Sequence, residues 1–83
     1  MKVGDLIVNA LQEEPYMIYQ VVRAPYTARF MDSDDWEMVA NGMGEYAGSY
    51  TSAIDIAPMS GKDLGSIYKK KRASSFRVIS SNN

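Results

Sequence analysis

The chain runs to 83 residues without a single cysteine. A domain of this size has little core to draw on. A 60-residue domain buries only about 60% of the surface its unfolded chain exposes. Small scaffolds commonly add disulfides, a structural metal or association to what their core supplies. Here disulfides, thiolate zinc sites and thiol nucleophiles are excluded by composition. The fold must hold by packing, or by association with a partner or with copies of itself. A deep pocket would compete with the core for the same apolar side chains, so function is expected at the surface or at an interface.

Histidine is also absent, which removes the commonest general base and metal ligand. The hydrophobic fraction of 46% is globular rather than disordered. The formal net charge of −1 gives no bulk signal for nucleic acid. No apolar run approaches the roughly 18 residues of a membrane span. The opening MKVGDLIVNALQEE carries acids and no small-residue cleavage site. It reads as a first strand rather than a secretion signal, and the cytoplasm is the default expectation.

Along the chain no internal repeat is evident, and residues 1–83 read as one domain. Gly4-Asp5 marks a turn into Leu6-Ile7-Val8. Tyr16 to Val22 is the strongest strand, rich in aromatic and β-branched residues, with Arg23-Ala24-Pro25 expected to end it. Apolar residues stand on both parities of this strand, which fits burial on two faces, or one buried face and one contact face. Asp32 to Gly44 reads two ways. It is a helix capped at Asp32 or Ser33 with Trp36, Val39, Ala40 and Met43 on one face, or a hairpin turning at Asn41-Gly42. Glu45 to Ser52 reads as a loop or mobile hairpin arm. Ala53 to Ala57 alternates as a strand ended by Pro58. Ser60 and Asp63 resemble a capping box, and Leu64, Ile67, Tyr68 and Lys71 share helical spacing, weakened by Gly65. Ser75 to Ser80 is a closing strand.

Few clusters carry chemistry. Asp32, Asp34, Asp35 and Glu37 are the densest acids, but an EF-hand loop starting at Asp32 would place Glu37 where glycine belongs and Met43 where glutamate belongs. A capped helix start or a solvated turn explains them. Asp55 and Asp63 are candidates for paired carboxylates, but nothing in the sequence brings them together. Asp55 alternates with Ile54 and Ile56 and is expected to be exposed. No phosphate-binding glycine motif is present. No catalytic residue, metal or cofactor is expected.

Two groups remain. Lys69, Lys70, Lys71 and Arg72 follow Tyr68 as four consecutive cations. They read as the last turn of a helix complementing its dipole, as a patch for phosphates with Tyr68 for stacking and Arg77 extending it, or as a contact for an acidic protein. Trp36, Met43, Tyr46 and Tyr50 are the interface candidates. Tyr, Trp and Met are enriched at protein contacts, and Tyr46 and Tyr50 flank Ala47-Gly48-Ser49, a composition like that of adaptable binding loops.

The two ends of the chain carry a resemblance. Val3, Gly4, Asp5, Leu6 and Val8 match a Met-Lys-Val-Gly-Asp-Leu-Val type of opening strand, and Phe76, Val78 and Ile79 match a short closing strand. Both resemble the ends of small bacteriophage proteins with an SH3-like barrel. Tyr16 to Val22 then takes the place of the second strand. The match covers about a quarter of the chain, and its motifs are folding signals. It implies a mainly β, small SH3-like barrel with one or two short helices, of phage origin. The alternative is an α+β arrangement with helices near Trp36 and Leu64 packed on one antiparallel sheet. The expected function is a non-enzymatic protein-interaction or structural module, a virion component or an accessory protein docking on another protein or on its own copies. The alternative is a nucleic-acid-binding small barrel using Lys69–Arg72.

Overall fold

The first strand begins where glycine allows it to. Gly4 has φ +95°, a region open to glycine at no steric cost. The turn it makes lets the Asp5 carboxylate accept from the Lys2 backbone N–H at 2.9 Å. The Asp5 carbonyl then accepts from Val21 N–H, also at 2.9 Å. In this computed structural model, which describes residues 1–12, 17–30 and 49–81, five strands follow. They are β1 (Leu6–Asn9), β2 (Tyr19–Phe30), β3 (Ser49–Pro58), β4 (Tyr68–Arg72) and β5 (Phe76–Ser80), with a 3₁₀ turn over Ala73–Ser75 between the last two. All pairings are antiparallel, in the order β4-β3-β2-β1-β5. The protein is thus mainly β.

β2 is longer than its sequence suggests, because Pro25 does not end it. The register to β3 shifts between Val21 and Arg23 and again between Arg23 and Tyr26. Each shift places one extra residue on β2. Pro25 falls in the second bulge, where no ladder N–H is required of it. β3 likewise starts at Ser49, within the segment expected to be a loop, because Phe30, Arg29, Ala28 and Thr27 pair with Ser49 to Ser52.

The helix expected around Leu64 is not formed. Gly61 and Gly65 sit at φ +86° and +96°. Leu64 N–H bonds to the Gly61 carbonyl at 3.2 Å and Ser66 N–H to the Asp63 carbonyl at 2.9 Å. The two left-handed glycines convert the segment into successive turns. Leu64 and Ile67 stay exposed, so no helical face is buried. Residues 68–72 are therefore strand, and the helix-dipole reading of the cations falls with the helix.

Among the described residues, Ile7, Val21, Ile54 and Ile56 form a packed core cluster, flanked by half-buried Tyr19, Tyr68, Ala73 and Phe76. Each buried isoleucine contributes about 2 kcal/mol of transfer free energy. The sheet cannot be flat. Its outermost strands stand four spacings apart, about 19 Å if planar. Yet β4 and β5 are joined by three residues, and four Cα steps reach at most about 15 Å. The sheet curls so that its two edges approach without hydrogen bonding to each other.

Candidate functional site

The curl leaves an open groove of about 540 Å³ between the two edges. Its floor includes Ile56. Its walls carry four half-buried rings: Tyr19 and Phe30 from the two ends of β2, Tyr68 from β4 and Phe76 from β5. In a straight strand Tyr19 and Phe30 would lie about 36 Å apart. The two bulges bend β2, and both its ends contribute to one groove. Tyr19 is the hub. Its ring meets Tyr68 at 6.2 Å and Phe76 at 6.0 Å, both edge-to-face, a favoured aromatic geometry. A residue of β2 thus touches both edge strands.

Lys70, Lys71 and Arg72 line the same groove. Ordinary alternation would send successive side chains to opposite faces. Here β4 carries an extra residue, since Ile54 pairs with Lys71 and Ile56 with Tyr68. Lys70 takes φ +56° at this bulge, uncommon for a residue with a Cβ. Its N–H donates to Asp55 Oδ1 at 2.9 Å. The Lys70 ammonium and the Arg72 guanidinium lie 5.2 and 4.7 Å from the centre of the Phe30 ring, and the Lys71 ammonium lies 5.8 Å from that of Tyr68. Cation–π attraction thereby pre-places the three charges.

Asp55 is buried, contrary to the expectation that it faces solvent. Its carboxylate also accepts from the Tyr26 hydroxyl at 2.6 Å. The Tyr26 bond, the Lys70 N–H and the nearby Arg23 and Lys69 charges lower the Asp55 pKa against the opposing effect of burial. The Tyr26 hydroxyl is pushed above its usual value, chiefly because it donates to that carboxylate. Asp63 does not pair with Asp55. It accepts from the Tyr68 hydroxyl at 2.8 Å, which raises the Tyr68 pKa and anchors the turn before β4 to the groove wall.

No carboxylate is among the described residues lining the groove; Asn9, Gln12 and Ser75 supply its polar rim. Among the described residues, no three acidic, histidine or cysteine side chains converge as metal ligands.

Of the cations singled out by sequence, Lys70, Lys71 and Arg72 are brought together with Tyr68. Lys69 is exposed and outside the lining, and Arg77 lies on β5 opposite Val8, also outside it. Of the interface candidates, Tyr50 is 69% exposed on β3, while Trp36, Met43 and Tyr46 lie outside the described residues, as do Asp32, Asp34, Asp35 and Glu37. Sequence reasoning missed Tyr19, Phe30 and Phe76. Their signal was aromatic residues at strand ends, but only the pairing register joins them.

No family model, curated protein or solved structure was found to match this chain.

Proposed function

We infer that the protein is a non-enzymatic binding module on an SH3-like, partly open barrel, and that it holds an anionic partner in the groove between its edge strands. Three features support the barrel reading: the strand order, the pairing of the first strand with the last, and the single 3₁₀ turn between β4 and β5. The paired strands β1 and β5 hold most of the residues that carry the resemblance to small phage proteins. Phage origin, and a role as an accessory protein or virion component in the host cytoplasm or particle, follow from that likeness. The absence of histidine and cysteine supports binding rather than catalysis.

One observation carries the functional reading. Three consecutive cations and four aromatic rings share a groove that no described carboxylate lines. Gathering like charges costs energy that an anionic ligand offsets, and β4 departs from regular strand geometry at Lys70, where these cations meet. The test is an amide-resolved NMR titration with two polyanions, a glutamate-rich peptide and oligothymidine. Shifts at Tyr68, Arg72 and Phe76 with either one are expected. No shift there with both would reject the reading.

A second reading is docking on another protein, or on a second copy, away from the groove. Tyr50 favours it, standing well exposed on β3. Tyr50→Ala should then abolish assembly, read as native mass by light scattering, while the fold survives.

A further inference from the structure

We propose that the groove binds a single strand of nucleic acid, its bases against the rings and its phosphates on Lys70, Lys71 and Arg72; this rests on reading the groove as an anion site. An acidic peptide would meet the cations but has nothing to offer four rings. Aromatic faces are the negative side of the quadrupole, so they repel a carboxylate. A single strand presents flat π surfaces and phosphates together, and the groove brings rings and cations together. Base–aromatic stacking tolerates any sequence, because every base presents a π face.

Burial decides against a duplex. The rings are half-buried within a groove rather than raised on a ridge. Paired bases cannot leave their stack to enter it without the cost of unpairing. The distribution of charge decides against a mononucleotide, since three cations spread over successive residues serve more than one phosphate. The edge-to-face order of Tyr68, Tyr19 and Phe76 keeps these rings from stacking flat on one another. The tether of Tyr68 to Asp63 and the cations over Phe30 hold the wall in place before a ligand arrives. Little ordering is then left for the ligand to impose.

The overall charge of −1 does not oppose this. Local groove potential, not net charge, governs contact within a Debye length of about 8–10 Å. Weak binding with modest salt dependence follows. With three phosphates neutralised, log K should fall against log salt with a slope of about −2, a loss of about 20-fold between 50 and 200 mM.

The experiment is fluorescence anisotropy of the full chain with labelled 15-nucleotide oligothymidine. Unlabelled competitors are the matching adenine–thymine duplex, a glutamate peptide of equal charge, and thymidine monophosphate. Oligothymidine is expected to bind at least tenfold tighter than each competitor. Lys71→Gln should reduce the salt slope by about 0.7. Phe76→Leu, which keeps apolar volume and removes a π face, should weaken binding about 5- to 150-fold with the slope unchanged. Circular dichroism of each variant shows whether it remains folded, and Phe76→Tyr, which keeps a ring, should keep affinity. Tighter binding of the glutamate peptide would overturn the strand proposal while leaving the anion groove standing. Equal binding of the duplex or the monophosphate, or no effect of Phe76→Leu, would also overturn it. No binding of any ligand at 20 mM salt would overturn both.

Discussion

Asp55 holds Lys70 by its backbone, not by its ammonium: the Lys70 N–H donates to Asp55 Oδ1 at 2.9 Å. The bond falls at the extra residue of β4, and the same carboxylate oxygen takes the Tyr26 hydroxyl from β2 at 2.6 Å. One buried acid on β3 therefore pins the strands on both its sides. The lysine's charged end stays available to the groove.

Asp55→Ala should be the most damaging polar substitution among the described residues. It leaves the Tyr26 hydroxyl and the Lys70 N–H without this acceptor, each worth roughly 1.5–3 kcal/mol when the acceptor is charged. A loss of about 3 kcal/mol, the low end for two such bonds because both are only partly buried, is expected in urea unfolding. Tyr26→Phe removes one of the two bonds and should lose about half as much. Equal losses would mean that the Lys70 bond contributes nothing.

Acid should unfold the protein partly through Asp55. Its carboxyl is held below the ordinary value of 3.8 in the folded state. The stability it contributes is present above the unfolded value and is lost as pH falls through the lower folded value. Asp55→Asn, which keeps an acceptor oxygen but cannot titrate, should flatten the stability curve below about pH 4. An acid limb unchanged in slope would place the titrating group elsewhere.

At the alkaline end the sign reverses. Tyr26 and Tyr68 are both raised above 10.0 by donating to carboxylates. Their contribution is present below the unfolded value and is lost as pH rises through the folded one. Ultraviolet titration should show both ionising after an ordinary tyrosine. Asp63→Asn should return Tyr68 toward 10 and leave Tyr26 unmoved.

Pro25 should tolerate replacement. Because it occupies a bulge, Pro25→Ala changes stability by less than about 1 kcal/mol, mainly through unfolded-chain entropy. Ala53→Pro, at a paired position between β2 and β4, should prevent folding. Thermal melts of the two variants distinguish a bulge from a ladder site.

The strands near Leu6, Ile54 and Val78 and the Tyr19–Val22 part of β2 were legible because short apolar runs with β-branched residues stand between turn residues, although Met17 and Ile18 lie before the strand. Pro25 was misread because a proline that stops one strand and a proline in a bulge have the same local sequence; only the β3 partner distinguishes them. Leu64 to Lys71 was misread as helix because spacing outweighed two glycines whose left-handed backbone was not visible in the letters. The cations were legible as a cluster, but the groove was not. Its rings come from positions 19, 30, 68 and 76, and register and curl bring them together. Asp55 looked exposed because alternation assumes that the second face of a strand meets water.

The pairing of Leu6 with Ser80 has a practical consequence. Entry to the fold and exit from it lie on neighbouring strands, about 5 Å apart. A chain that enters and leaves at one point can be carried as a guest within a surface loop of another protein, because the host need not stretch to accommodate it. The module is in this sense portable, and a tether at one end also fixes where the other emerges.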